Sequence, residues 1–144
     1  MAAFVKINDF VEAVAEKKHN LGSDTLTVAL SNTAPGSETS DPTADGNGVL
    51  ANVTQIAYTN LSARAITTTS SAQTSGTYKL TLTDLVLTAS GGAVAAFRYI
   101  YIYNDTATNN ELIAYYDYGS ALTLQDGDNL TIDFDASGGF LTIL

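Results

Sequence analysis

The segment Phe97-Arg-Tyr-Ile-Tyr-Ile-Tyr103 carries large apolar or aromatic side chains on both faces of one extended stretch. Alternate residues of a strand point to opposite faces. Phe97, Tyr99, Tyr101 and Tyr103 are therefore expected on one face, with Arg98, Ile100 and Ile102 on the other. A strand without a polar face needs cover on both sides. That requirement predicts a central strand inside a layered β structure.

The neighbouring segments supply layers. Thr25 to Leu30 alternates, with Leu26, Val28 and Leu30 opposed to Thr25, Thr27 and Ala29. Thr77 to Thr83 sets Tyr78, Leu80 and Leu82 against Thr77, Lys79 and Thr81. Further strands are expected over Val49 to Ile56, Ala63 to Thr69, Leu85 to Thr88, Glu111 to Tyr118, Asn129 to Asp135 and Phe140 to Leu144. Ser70 to Gly76 reads as a hairpin tip, and a break is expected at Asp84. In Glu111 to Tyr118, Leu112, Ala114 and Tyr116 are expected to oppose Ile113, Tyr115 and Asp117. No helix separates successive strands, so the sheets should be antiparallel. The expected fold is mainly β: an antiparallel sandwich or barrel-like domain with a short N-terminal α-helix.

The helix is expected from Asp9 onward. Asp9 and Glu12 have capping-box spacing, Phe10 and Val14 share a face, and Lys17, Lys18 and His19 occupy the last turn, with Asn20 and Gly22 as stop signals. Residues 1–22 then form an arm and helix outside a β domain of residues 23–144. Removal of the arm should leave that domain folded. The stretch from Ser31 to Gly48 holds both prolines and is a long loop. It is either a disordered excursion or a contact loop fixed on assembly.

A chain of 144 residues buries enough surface to fold as one domain. It has no cysteine, so disulfide and thiolate chemistry are excluded. The first residues are too short and polar for a signal peptide, and no apolar run approaches the about 20 residues of a membrane-spanning helix. Without an export signal, the four Asn-X-Ser/Thr sequons at Asn52, Asn60, Asn104 and Asn129 read as strand edges and turns rather than glycosylation sites. The net charge is −9, and no Lys or Arg follows Arg98. This argues against nucleic acid and anionic membrane as partners. Charged residues make up only 15% of the chain. The hydroxyl- and amide-rich surface that remains is cheaper to dehydrate than a charged one, which suits a protein held in contact with others.

The catalytic inventory is thin. His19 is the single histidine, and no nucleophile elbow, phosphate loop or zinc-binding pattern occurs. The carboxylate pairs Asp126 with Asp128 and Asp133 with Asp135 have the spacing for glycosidase or Ca²⁺ chemistry. Asp is also the ordinary turn former, and that reading is preferred. No enzyme, cofactor or metal site is expected. Tyr99, Tyr101 and Tyr103, with Tyr115, Tyr116 and Tyr118 on the neighbouring strand, form an aromatic ladder suited to a core or an interface. As an exposed platform, the same tyrosines would suit a carbohydrate-binding module.

The segment from Phe10 through His19-Asn-Leu-Gly-Ser-Asp-Thr-Leu-Thr-Val-Ala-Leu-Ser-Asn-Thr-Ala-Pro35 resembles the start of a family of small structural proteins of tailed bacteriophages. Val49-Leu-Ala-Asn-Val-Thr-Gln-Ile56, Phe97-Arg-Tyr99, Tyr103-Asn-Asp-Thr106, Tyr116-Asp-Tyr-Gly119 and Asp133-Phe-Asp135 extend the resemblance over nearly the whole chain. It implies a virion component, with capsid decoration as its role, the major capsid protein as partner and a symmetric homo-oligomer as its state. A neck or tail component is the alternative. The expected contact residues are Phe4, Phe10, Val14, Lys17 and Lys18 of the arm and helix, together with Tyr99, Tyr101, Tyr103 and Tyr116.

Overall fold

The computed structural model describes residues 2–144. Ten strands follow one another with a single short helix. They are β1 (Phe4–Lys6), β2 (Leu26–Ser31), β3 (Ala65–Ile66), β4 (Thr68–Thr74), β5 (Thr77–Leu82), β6 (Leu85–Thr88), β7 (Phe97–Asn104), β8 (Leu112–Leu122), β9 (Asn129–Ile132) and β10 (Leu141–Ile143). The helix α1 spans Phe10–Ala15. All pairings are antiparallel. A five-stranded sheet runs β1-β8-β7-β2-β3, a three-stranded sheet β10-β5-β4, and β6 pairs with β9.

The expected mainly β, sandwich-like fold is present. Leu26, Val28, Leu30, Phe97, Ile100 and Ile102 of the five-stranded sheet pack against Leu80, Leu82, Leu87 and Ile132 of the smaller sheets. The other face of the five-stranded sheet carries Ala29, Tyr99, Tyr101, Tyr103 and Leu112. These pack with Ile7, Val53, Ala34 and Leu50. Both faces of β7 are therefore covered, one by β strands and one by the long connection after β2.

That connection is a cover, not a free excursion. Its chain turns through a 3₁₀ segment at Pro35–Ser37 and another at Leu50–Asn52. Asp9 Oδ1 accepts from Gly46 N at 2.9 Å, and Asp9 Oδ2 accepts from Gly48 N at 2.8 Å. Asn8 Nδ2 donates to Thr43 O at 3.0 Å. Glu38 accepts from both the amide and the hydroxyl of Thr54. A Cβ on Gly48 would lie 2.8 Å from the Asp9 Cβ, so only glycine permits this approach.

Several expectations need correction. Residues 2–22 of the expected arm are not an appendage, and residue 1 lies outside the described residues. β1 is a strand of the main sheet, Ile7 is fully buried, and Phe10, Ala13, His19 and Leu21 are buried. The helix is six residues long, and Asp9 does not cap it because its carboxylate holds the long loop instead. Lys17 ends the helix in the left-handed region at φ 68°. The amides of Lys17 and Lys18 donate back to Val14 O and Ala13 O, so Lys17, Lys18 and His19 lie beyond the last turn.

Val49 to Ile56 contributes one bridge and a 3₁₀ turn, not a strand. Ser70 to Thr74 belongs to β4, and the hairpin tip is only Ser75-Gly76, both at positive φ. The β7–β8 pairing is irregular near Phe97 and again near Tyr103. Two steps along β7, from Phe97 to Tyr99, match five along β8, from Leu122 to Asp117. Phe97 consequently joins Ile100 and Ile102 in the sandwich core rather than the tyrosines. A single extra residue at Ile113 likewise sends Leu112 to the tyrosine face and Ile113 to the sandwich core.

Replacing Asp9 with Ala removes two charge-assisted hydrogen bonds from a partly buried position. Thermodynamic stability, measured by urea unfolding, should fall by about 2 kcal/mol. Deletion of residues 2–22 should abolish cooperative unfolding altogether.

Candidate functional site

The aromatic ladder lies inside the molecule. Tyr99, Tyr101 and Tyr103 are buried under the long loop, so they offer no surface to a sugar or a partner. Phe10 is buried against His19 at a ring-centroid distance of 5.3 Å, and Val14 packs on the sandwich core. Lys17 and Lys18 are exposed, and Lys18 pairs with Glu16 at 3.0 Å. Of the expected contact residues, Lys17 and Lys18 border a separate polar cavity, and Phe4 and Tyr116 converge on one apolar place.

That place is a groove of about 370 Å³ where the margins of the two layers meet. Phe4 of β1, Ile100 of β7 and Tyr116 of β8 form one wall. Leu130 and Ile132 of β9, followed by Phe134 and Phe140, form the other. The Phe4 ring meets Phe140 edge-on at 5.4 Å and Tyr116 at 6.0 Å, and Phe134 meets Phe140 at 5.7 Å. Phe4 is 40% exposed and Tyr118, on the rim, 47%. Burial pushes the Tyr116 phenol up to about 12, so it stays a neutral hydrogen-bonding group at any physiological pH. Large aromatic side chains left open to solvent at the junction of two sheets are characteristic of a surface that binds.

Asp133 and Asp135 flank buried Phe134 on the lip of this groove. The strand expected to reach Asp135 ends at Ile132, because Phe134 N turns to donate to Asp84 Oδ1. Asp135 Oδ1 accepts from the amides of Ser137 and Gly138 at 2.8 Å each. Those bonds, with Lys79 nearby, hold its carboxyl below the usual range. Asp126 and Asp128 do turn work: Asp126 accepts from Gly91 N and Asp128 from Gln125 N. Arg98 holds Asp117 through two parallel bonds of 2.7 and 2.8 Å. Among the described residues, no three His, Asp or Glu side chains converge to hold a metal ion.

A second polar cluster was not legible in the sequence. Asn104 is fully buried at the end of β7. Its Nδ2 donates to Asp24 Oδ2 at 2.6 Å and faces His19 Nδ1 at 3.0 Å, while its Oδ1 accepts from the amides of Thr106 and Ala107. His19 Nδ1 is thus the acceptor, and the proton sits on Nε2. All four polar valences of Asn104 are used, so this sequon is structural. Glu111 lies beside a shallow polar cavity lined also by Lys17, Lys18 and Asp24. Burial holds the His19 imidazole below its usual value, Lys18 adds to that effect, and Glu111 and Asp24 oppose it.

No protein-family model matches the chain, and neither a curated protein nor a solved structure matches it. Among the described residues, no helix is long and apolar enough to cross a membrane.

Folded His19 resists protonation, whereas the unfolded chain takes up the proton near pH 6.5. Its contribution is therefore complete above that pH and is lost as the pH falls through 6.5 toward the lower folded value. Urea midpoints should decline between pH 7.5 and 5.5, and His19→Gln should flatten that slope. The Tyr101 hydroxyl is buried without a hydrogen-bond partner among the described residues. Tyr101→Phe should leave stability unchanged or raise it by about 1 kcal/mol in the same assay.

Proposed function

We propose that this chain is a structural component of a tailed-bacteriophage virion, acting as a decoration protein that cements the assembled head. The observation that carries the reading is the groove at the junction of the two layers, with its exposed aromatic residues Phe4 and Tyr118. A cementing protein needs a stiff body and one dehydratable contact surface. The body here is a sheet covered on both faces. The remaining surface is poor in charge, and the net charge of −9 does not suit contact with packaged DNA. The resemblance in sequence motifs supplies the kind of assembly, and the groove supplies the place of contact.

Binding only to the assembled shell stabilises that shell by mass action. The activity requires no chemistry from the carboxylates, which serve turns and the groove lip. Partners are then the major capsid protein and sister copies of this chain.

Quantitative mass spectrometry of purified particles should count hundreds of copies per virion. A handful of copies would assign the chain to the neck or tail instead. Absence from particles would overturn the reading.

A further inference from the structure

We propose that the groove receives an extended, basic and apolar segment of a neighbouring shell protein, which adds as a strand to the open edge of β1. This deepens the virion reading and rests on it for the source of the segment.

The first support is the backbone of β1. Ile7 N donates to Ile113 O at 3.0 Å, and the register pairs Val5 with Tyr115. In an antiparallel ladder, hydrogen-bonded and non-hydrogen-bonded pairs alternate. Val5 and Ile7 therefore bond to β8, while Phe4 and Lys6 turn their N–H and C=O groups outward. No described residue bonds those groups, and β1 ends the sheet. Beyond β3, the exposed side of β2 is sealed: Arg64 O accepts from Val28 N, Arg64 Nη1 donates to Val28 O, and the Tyr58 hydroxyl accepts from Leu30 N. Where the short β3 stops, the flank of β2 is covered by the chain's own residues, whereas β1 leaves its outward groups open beside a hydrophobic groove. Unprotected edges of this kind take added strands.

Charge names the occupant. The lip carries Asp133 and Asp135, both exposed, and the side chain of Asp133 makes no hydrogen bond among the described residues. Lys79 offsets part of the Asp135 charge, and Lys6 is the cation on β1 itself. No basic residue follows Arg98 and the chain carries −9 overall, so a second copy would bring its own acidic margin against this one. A segment that carries both large apolar residues and a Lys or Arg at alternate positions, hence on one face, meets all three features: the apolar side chains fill the groove, the cation on the same face meets the lip, and the backbone pairs with Phe4 and Lys6. The predominantly apolar walls leave too few polar groups to pair the hydroxyls of a sugar.

The test uses the full chain with two probes, undecorated phage heads and the hexapeptide Ile-Thr-Phe-Thr-Arg-Thr, with Ile-Thr-Phe-Thr-Glu-Thr as control. Lys6→Pro removes an outward amide while keeping the bonds to β8. Asp133→Lys reverses the lip charge. Circular dichroism and thermal melts establish that both variants are folded. The proposal expects head binding and basic-peptide binding to fall at least tenfold in each variant. It also expects amide shifts centred on β1 and a tenfold weaker acidic peptide. Heads bound equally by wild type and variants would overturn the groove and leave the virion reading standing. Peptide bound at β1 without head binding would sink the virion reading and keep the groove. Preference for an oligosaccharide panel, a dimer closed through β1, or no binding to either probe would overturn the proposal.

Discussion

The burial of β7 on both faces is the constraint from which the other features follow. One face is met by the smaller sheets in the usual manner of a sandwich. The other bears three tyrosines and has no third sheet to meet it. A loop has to do that work, and a loop makes a poor cover unless its own polar backbone is satisfied. The carboxylate of Asp9 meets the need by accepting two loop amides at once. Asp9 thereby couples the N-terminal strand, the helix and the tyrosine face into one packed unit.

This division of labour explains why the polar residues are so fully employed. Asp9, Asp24, Asp84, Asp117, Asp126, Asp128 and Asp135 all accept hydrogen bonds that fix turns, loops or strand ends. An acidic composition here is chiefly a supply of backbone acceptors. Asp45, Asp105 and Asp133 have carboxylates unengaged among the described residues, and of these three Asp133 stands on the groove lip.

Much of the framework was legible in the sequence because alternation is a local signal. The limits of β6 and the two-sided burial of β7 follow directly from residue pattern. What escaped is non-local. The Asp9-x-x-Glu12 spacing looks like a helix cap, yet a loop far along the chain claims the carboxylate. Phe97 and Leu112 change faces at irregularities in the β7–β8 ladder, which strict alternation along a strand does not anticipate. Asn104 reads as a hairpin residue and a sequon, although it is a buried hub joining Asp24, His19 and the following turn. At the groove, Phe4 and Tyr116 were both singled out from sequence, but as members of separate sets. Only the register Phe4↔Tyr116 brings them together.

The pairing of β1 with β8, and the meeting of Phe4 with Phe140, carry a consequence for the order of assembly. Strands β2 to β7 all lie between β1 and its partner β8, and the far wall of the groove, Phe134 and Phe140, follows later still in the chain. The groove consequently takes shape only when segments distant in sequence have docked. Engagement of a neighbour at the groove is thereby tied to completed folding.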